Sequence, residues 1–149
     1  MDRFMAEKTT ESREEMSTLA IRSNFSGKLV WAGMSLIATV GVIHLIEAPE
    51  ELEEATYLGP LFLANFLGAL LAAIGIYREH RWGWGLGVLV AGGAFVGYVL
   101  SRTVGLPGMS VEEWLEPLGI ASLLVETLFI GLCLAIFLRP AKEAKNDLS

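Results

Sequence analysis

The sequence predicts an all-α protein: a membrane bundle of four transmembrane helices with short helices at the outer surface. Two observations carry this. More than half of the 149 residues are apolar (53%), and they are gathered into four long blocks, 28–46, 58–77, 82–101 and 115–138. Each block is about 19–24 residues long, against the ~20 a helix needs to cross ~30 Å of hydrocarbon. Apart from Lys28, Glu116 and Glu126, the charged residues lie in the gaps, which separates this pattern from that of a soluble protein with a large core.

The net charge of −6 is less informative than its distribution. Arg3, Lys8, Arg13 and Arg22 precede the first block and Lys28 opens it, Arg78 and Arg81 separate the second from the third, and Arg139, Lys142 and Lys145 follow the fourth. The connection after the first block holds Glu47, Glu50, Glu51, Glu53 and Glu54 with no Lys or Arg, and the one after the third has only Arg102 as a cation. The positive-inside rule therefore predicts cytoplasmic termini and a cytoplasmic Arg78–Arg81 turn. No basic face is left over for nucleic acid. The bilayer is the expected partner, with a homo-oligomer or another membrane protein as the further candidates. The single Cys133 allows no intramolecular disulfide and reads as a packing residue.

Residues 1–27 read as a polar cytoplasmic tail, loosely ordered or carrying a short surface helix over 16–25. In the first span Trp31 suits the interface, Ser35 and Thr39 can bond to the preceding turn, and His44 and Glu47 share a face. Pro49 and the glutamates after it predict a separate short helix over 48–57. In the second span Asn65 is the one strongly polar residue, and Gly68 and Ala72 form a small-residue face. Trp82 and Trp84 suit the interface after the 78–81 turn, where His80 is expected in solvent. The third span is crowded with glycine. Gly93-x-x-x-Gly97 predicts close helix contact there, and Tyr98 and Arg102 share a face. Gly105, Pro107 and Gly108 predict an ordered loop. Ser110-Val-Glu-Glu113 fits a capping box with a helix from about Val111, kinked at Pro117. Residues 139–149 read as a short cytoplasmic tail.

Glu126 lies near the middle of the fourth block. An acid at the centre of a spanning helix costs roughly 2.5–3.5 kcal/mol, so it calls for a partner. Placed by depth, His44, Glu47, Tyr98 and Arg102 fall near the outer boundary, with Asn65, Ser122 and Glu126 progressively deeper. All can face the interior of a four-helix bundle. The expectation is a polar pocket of His44, Glu47, Asn65, Tyr98, Arg102 and Glu126. Several readings stay open. The set can be structural, with Arg102 paired to Glu47 or a loop glutamate and a protonated Glu126 bonded to Asn65 or Ser122. It can hold a divalent metal through His44, Glu47 and Glu126, or it can carry protons through Glu126. Acid–base catalysis by His44 and Glu47 lacks a nucleophile motif beside it.

The stretches His44-Leu-Ile-Glu47-Ala-Pro-Glu, Tyr57-Leu-Gly-Pro-Leu-Phe and Ser101-Arg-Thr-Val-Gly-Leu-Pro-Gly108 resemble an uncharacterised family of small four-span bacterial membrane proteins. The resemblance covers about residues 28–138; it implies the topology and a bacterial plasma membrane location, and no activity. The preferred expectation is a non-enzymatic accessory or binding protein, and the alternative is metal or proton handling in the same pocket.

Overall fold

In a computed structural model, backbone structure is described for residues 2–138 and side chains for residues 27–138. The chain divides into two compact units, Met1–Ala32 and Gly33–Ser149. Four helices follow one another: α1 (Asp2–Glu54), α2 (Leu58–Tyr77), α3 (Arg81–Thr103) and α4 (Pro117–Phe137). All four include stretches long and apolar enough to cross a membrane, so this is a multi-pass membrane protein built as a helical bundle. The leader expected as a loose tail lies within α1 from Asp2 onward. The expected tail at 139–149 lies outside the described residues.

Within the unit beginning at Gly33, each helix turns a narrow stripe inward. On α1 the buried positions Gly33, Ile37, Val40, His44 and Glu47 recur every three or four residues. On α4 the stripe is Gly119, Ser122, Glu126, Phe129 and Cys133. This spacing is the seam of closely packed helices. Both stripes are apolar at the end near Arg78–Arg81 and polar at the opposite, acidic end. Outward positions such as Leu67, Leu71, Leu124 and Leu128 are exposed, as suits hydrocarbon contact.

Small residues set the helix spacing. A methyl placed at Gly83 would lie 2.5 Å from the backbone of Gly75, and one at Gly68 would lie 2.9 Å from Val90. The roots of α2 and α3 therefore touch backbone to backbone. Gly87 gives way to the Phe129 ring in the same manner. Trp84, expected at the interface, instead turns inward: it packs on Gly33 and stacks on Phe129 with ring planes 12° apart. The contact expected at Gly93-x-x-x-Gly97 is absent. Among the described residues, nothing beyond the helix's own neighbouring turns lies within 4 Å of where a side chain would begin at Gly92, Gly93 or Gly97.

Two connections differ from expectation. Helix α1 does not stop before Pro49 but runs through it to Glu54. Proline removes one N–H and crowds the carbonyl four residues back. That loss is outweighed by the further helical turn, whose Leu52 packs on Gly59 at the start of α2. The helix expected from about Val111 is not formed: α4 begins at Pro117, the favoured first position. Residues 111–116 form a loop because their polar groups serve α3. The Glu112 amide donates to the Ser101 carbonyl, and the Glu113 and Trp114 carbonyls accept from Arg102 Nε and the Tyr98 hydroxyl. Gly105 and Gly108 take positive φ (76° and 83°), as the expected ordered loop requires. The Tyr57 hydroxyl then donates to the Pro107 carbonyl at 3.0 Å, joining the two connections at the acidic end.

Candidate functional site

Above the tight root, α2 and α3 part, and a cavity of about 370 Å³ opens among all four helices at the acidic end. His44, Glu47, Asn65, Tyr98, Arg102 and Glu126 all line it. The six candidates thus come together, although they lie on four helices and span 83 positions of sequence, from 44 to 126. Most of the remaining wall is apolar, including Leu58, Phe62, Val90 and Ala94.

Glu126 is the deepest acid and only 1% exposed. Its helix register dictates this, because the α4 seam passes through Ser122 and Glu126 alike. Ser122 Oγ donates to Glu126 Oε1 at 2.8 Å. The other oxygen, Oε2, is buried with no hydrogen-bond partner among the described residues.

His44 faces it from α1. Its Nδ1 lies 2.9 Å from the Val40 carbonyl. A carbonyl only accepts, so Nδ1 carries the proton and donates, which leaves Nε2 as an acceptor when the ring is neutral. Nε2 stands 4.0 Å from Glu126 Oε1, beyond hydrogen-bond length. Phe62 covers the ring, centroid to centroid 5.0 Å. The same logic orients Asn65: its Nδ2 donates to the Val90 carbonyl at 3.4 Å, a long contact. Its Oδ1 is therefore the free end, buried and without a partner. Asn65 is not bonded to Glu126; Ser122 is.

Arg102 is committed elsewhere. Its guanidinium reaches Glu112 at 2.6 Å and also Glu116, Ser101 Oγ and the Glu113 carbonyl. It lies 3.9 Å above the centre of the Tyr98 ring, a cation–π distance. Of the expected partners, Glu47 or a loop glutamate, the guanidinium takes loop glutamates, and both belong to the connection between α3 and α4. Glu112 and Glu116 were hidden by the capping-box reading. The pointer in the sequence is that Arg102 is the sole cation between the third and fourth spans, with three glutamates shortly after it. Phe62, Glu51, Gly93 and Gly97 also line the cavity and were not foreseen as site residues.

Among the described residues, no three His, Cys, Asp or Glu side chains gather closely enough to share one metal ion. His44, Glu47 and Glu126 line one cavity without forming such a group. Beside it lies a more polar cleft edged by Glu47, Glu50, Glu51, Glu54, Glu112, Glu113 and Glu116, which leaves the acidic end strongly negative. No protein-family model, curated protein or solved structure matches the chain, so the site is read from its own geometry.

Proposed function

We propose that this is a non-enzymatic membrane protein with a binding or accessory role, and that the cavity at its acidic end takes a small amphipathic molecule. The protein sits in a bacterial plasma membrane with both termini cytoplasmic and the cavity in the outer half of the bundle. The observation that carries the reading is a cavity with mostly apolar walls, into which buried polar groups without partners are set. Its volume of about 370 Å³ falls toward the lower end of the ~300–1,000 Å³ usual for small-molecule sites. A buried acceptor left unpaired costs about 1–3 kcal/mol, a cost that a bound donor removes.

Native mass spectrometry of gently extracted protein tests this against a Gly97→Leu variant, whose side chain enters the cavity. The expected result is a small organic adduct on the wild type and none on the variant. The reading fails if neither carries an adduct and no single-chain amphiphile raises the unfolding temperature of the wild type.

A second reading, metal or proton handling, draws on the approach of His44 Nε2 to Glu126 Oε1. Proton flux in liposomes that Glu126→Gln abolishes, or stoichiometric metal that His44→Ala loses, is its signature.

A further inference from the structure

We infer that the head group recognised in this cavity is a primary ammonium carried on an apolar chain, which lies between α2 and α3; the inference rests on the binding role proposed above. Three residues that line the cavity, on three helices, each hold an acceptor atom: Glu126 Oε2, Asn65 Oδ1 and His44 Nε2. The first two are buried and have no donor. The third is left open because Nδ1 is spent on Val40. A primary ammonium has three N–H donors and one positive charge, which matches three acceptors and a carboxylate in number and in sign.

The charge balance favours a cation and disfavours an anion. Five carboxyl groups line the cavity, from Glu47, Glu51, Glu112, Glu116 and Glu126, against the single guanidinium of Arg102. That guanidinium is already held by Glu112 and Glu116. An anionic head would find no free cation and several like charges. The acidic cleft next to the cavity adds to the field that draws cations toward this end.

The route for the chain follows from exposure. Leu61 and Leu89 line the cavity and are 58% and 71% exposed. Ala64 and Gly93 also line it and are exposed. These residues belong to α2 and α3, so the cavity opens sideways between those helices, where acyl chains would lie. Gly93 and Gly97 have space where a side chain would begin. Glycine there weakens the helix relative to alanine, with no packing contact among the described residues to require it. Their effect is to keep the passage clear.

The test uses full-length protein in phosphatidylcholine nanodiscs and four probes of equal chain length: decylamine, decyltrimethylammonium, decanol and decanoate. Thermal unfolding is followed against probe concentration, since a ligand of the folded state raises the midpoint by mass action. Decylamine is expected to act at concentrations at least tenfold lower than the other three. Glu126→Gln is expected to erase that advantage while leaving the response to decanol unchanged, and Asn65→Leu to reduce it. Gly97→Leu is expected to abolish the response to every probe while the protein remains folded. Equal potency of decanol, decanoate or decyltrimethylammonium overturns the ammonium assignment and leaves the amphiphile site standing. So does an undiminished decylamine preference in Glu126→Gln. If Glu126→Gln does not fold, the four-probe comparison on the wild type decides alone. No response to any probe overturns the ammonium assignment, and overturns the amphiphile site as well where native mass spectrometry finds no adduct. A wild-type oligomer that Gly97→Leu breaks apart without changing any probe response overturns both readings, because the glycines would then be seating another copy of the chain.

Discussion

Arg102 shows how one side chain can decide the course of a loop. Its fork engages two carboxylates, a hydroxyl and a backbone carbonyl while its face rests on Tyr98. Removing one partner from a buried ion pair costs about 3–5 kcal/mol. Glu112 and Glu116 are 22% and 44% exposed, so solvent screens part of the loss. Arg102→Ala is therefore expected to lower stability by about 2–3 kcal/mol, read as a fall in the unfolding midpoint. It is also expected to open the 104–116 loop to limited proteolysis. Arg102→Lys keeps the charge but not the planar fork, and should fall between the two. An Arg102→Ala protein with an unchanged midpoint and a protected loop would show that the backbone bonds alone hold the segment.

At the level of elements, the end of α2 has a compact explanation. His80 donates to the Gly75 carbonyl and Glu79 to that of Ile76, with Glu79 at φ 58°. This is the Schellman arrangement, in which the left-handed position usually belongs to glycine. A side chain there costs roughly 1–2 kcal/mol, and glycine returns about 0.5–1 kcal/mol of that as unfolded-state entropy. Glu79→Gly is expected to stabilise the protein by about 0.5 kcal/mol, seen as a small rise in the unfolding midpoint. A fall would mean that the carboxylate has a role in the turn beyond its backbone angle. Elements were also where sequence reasoning was least secure. The four spans follow from the length of their apolar blocks, which local composition reports directly. The continuation of α1 through Pro49 and the late start of α4 do not, because each depends on contacts made by distant residues. Ser110-x-x-Glu113 is a sound local signal for a helix start, and it loses to bonds offered by Ser101, Tyr98 and Arg102.

For the molecule as a whole, charge segregation predicts which end faces out. Cysteine substitutions at Glu53 and His80, both exposed, probe the two ends. Cys133 is only 1% exposed and should stay silent. In intact cells a membrane-impermeant maleimide is expected to label Glu53→Cys at once, and His80→Cys only after permeabilisation. The opposite pattern would invert the proposed topology and place the cavity in the inner half. That the six polar candidates lie at similar depths was legible in the sequence, because depth along a spanning helix is set by residue count; that they line one cavity was not, because facing depends on how the helices pack. Their pairing was not. Depth brings Arg102 level with many glutamates, and only the folded loop selects Glu112 and Glu116.

Helix α3 carries two kinds of glycine that a composition count cannot tell apart. At Gly83 even one methyl collides with the neighbouring main chain, so drift is barred by assembly itself. At Gly93 and Gly97 there is room to spare, and mutation away from glycine would improve the helix. If descendants of this chain nevertheless keep glycine at those two places, selection is acting on the vacancy and not on folding.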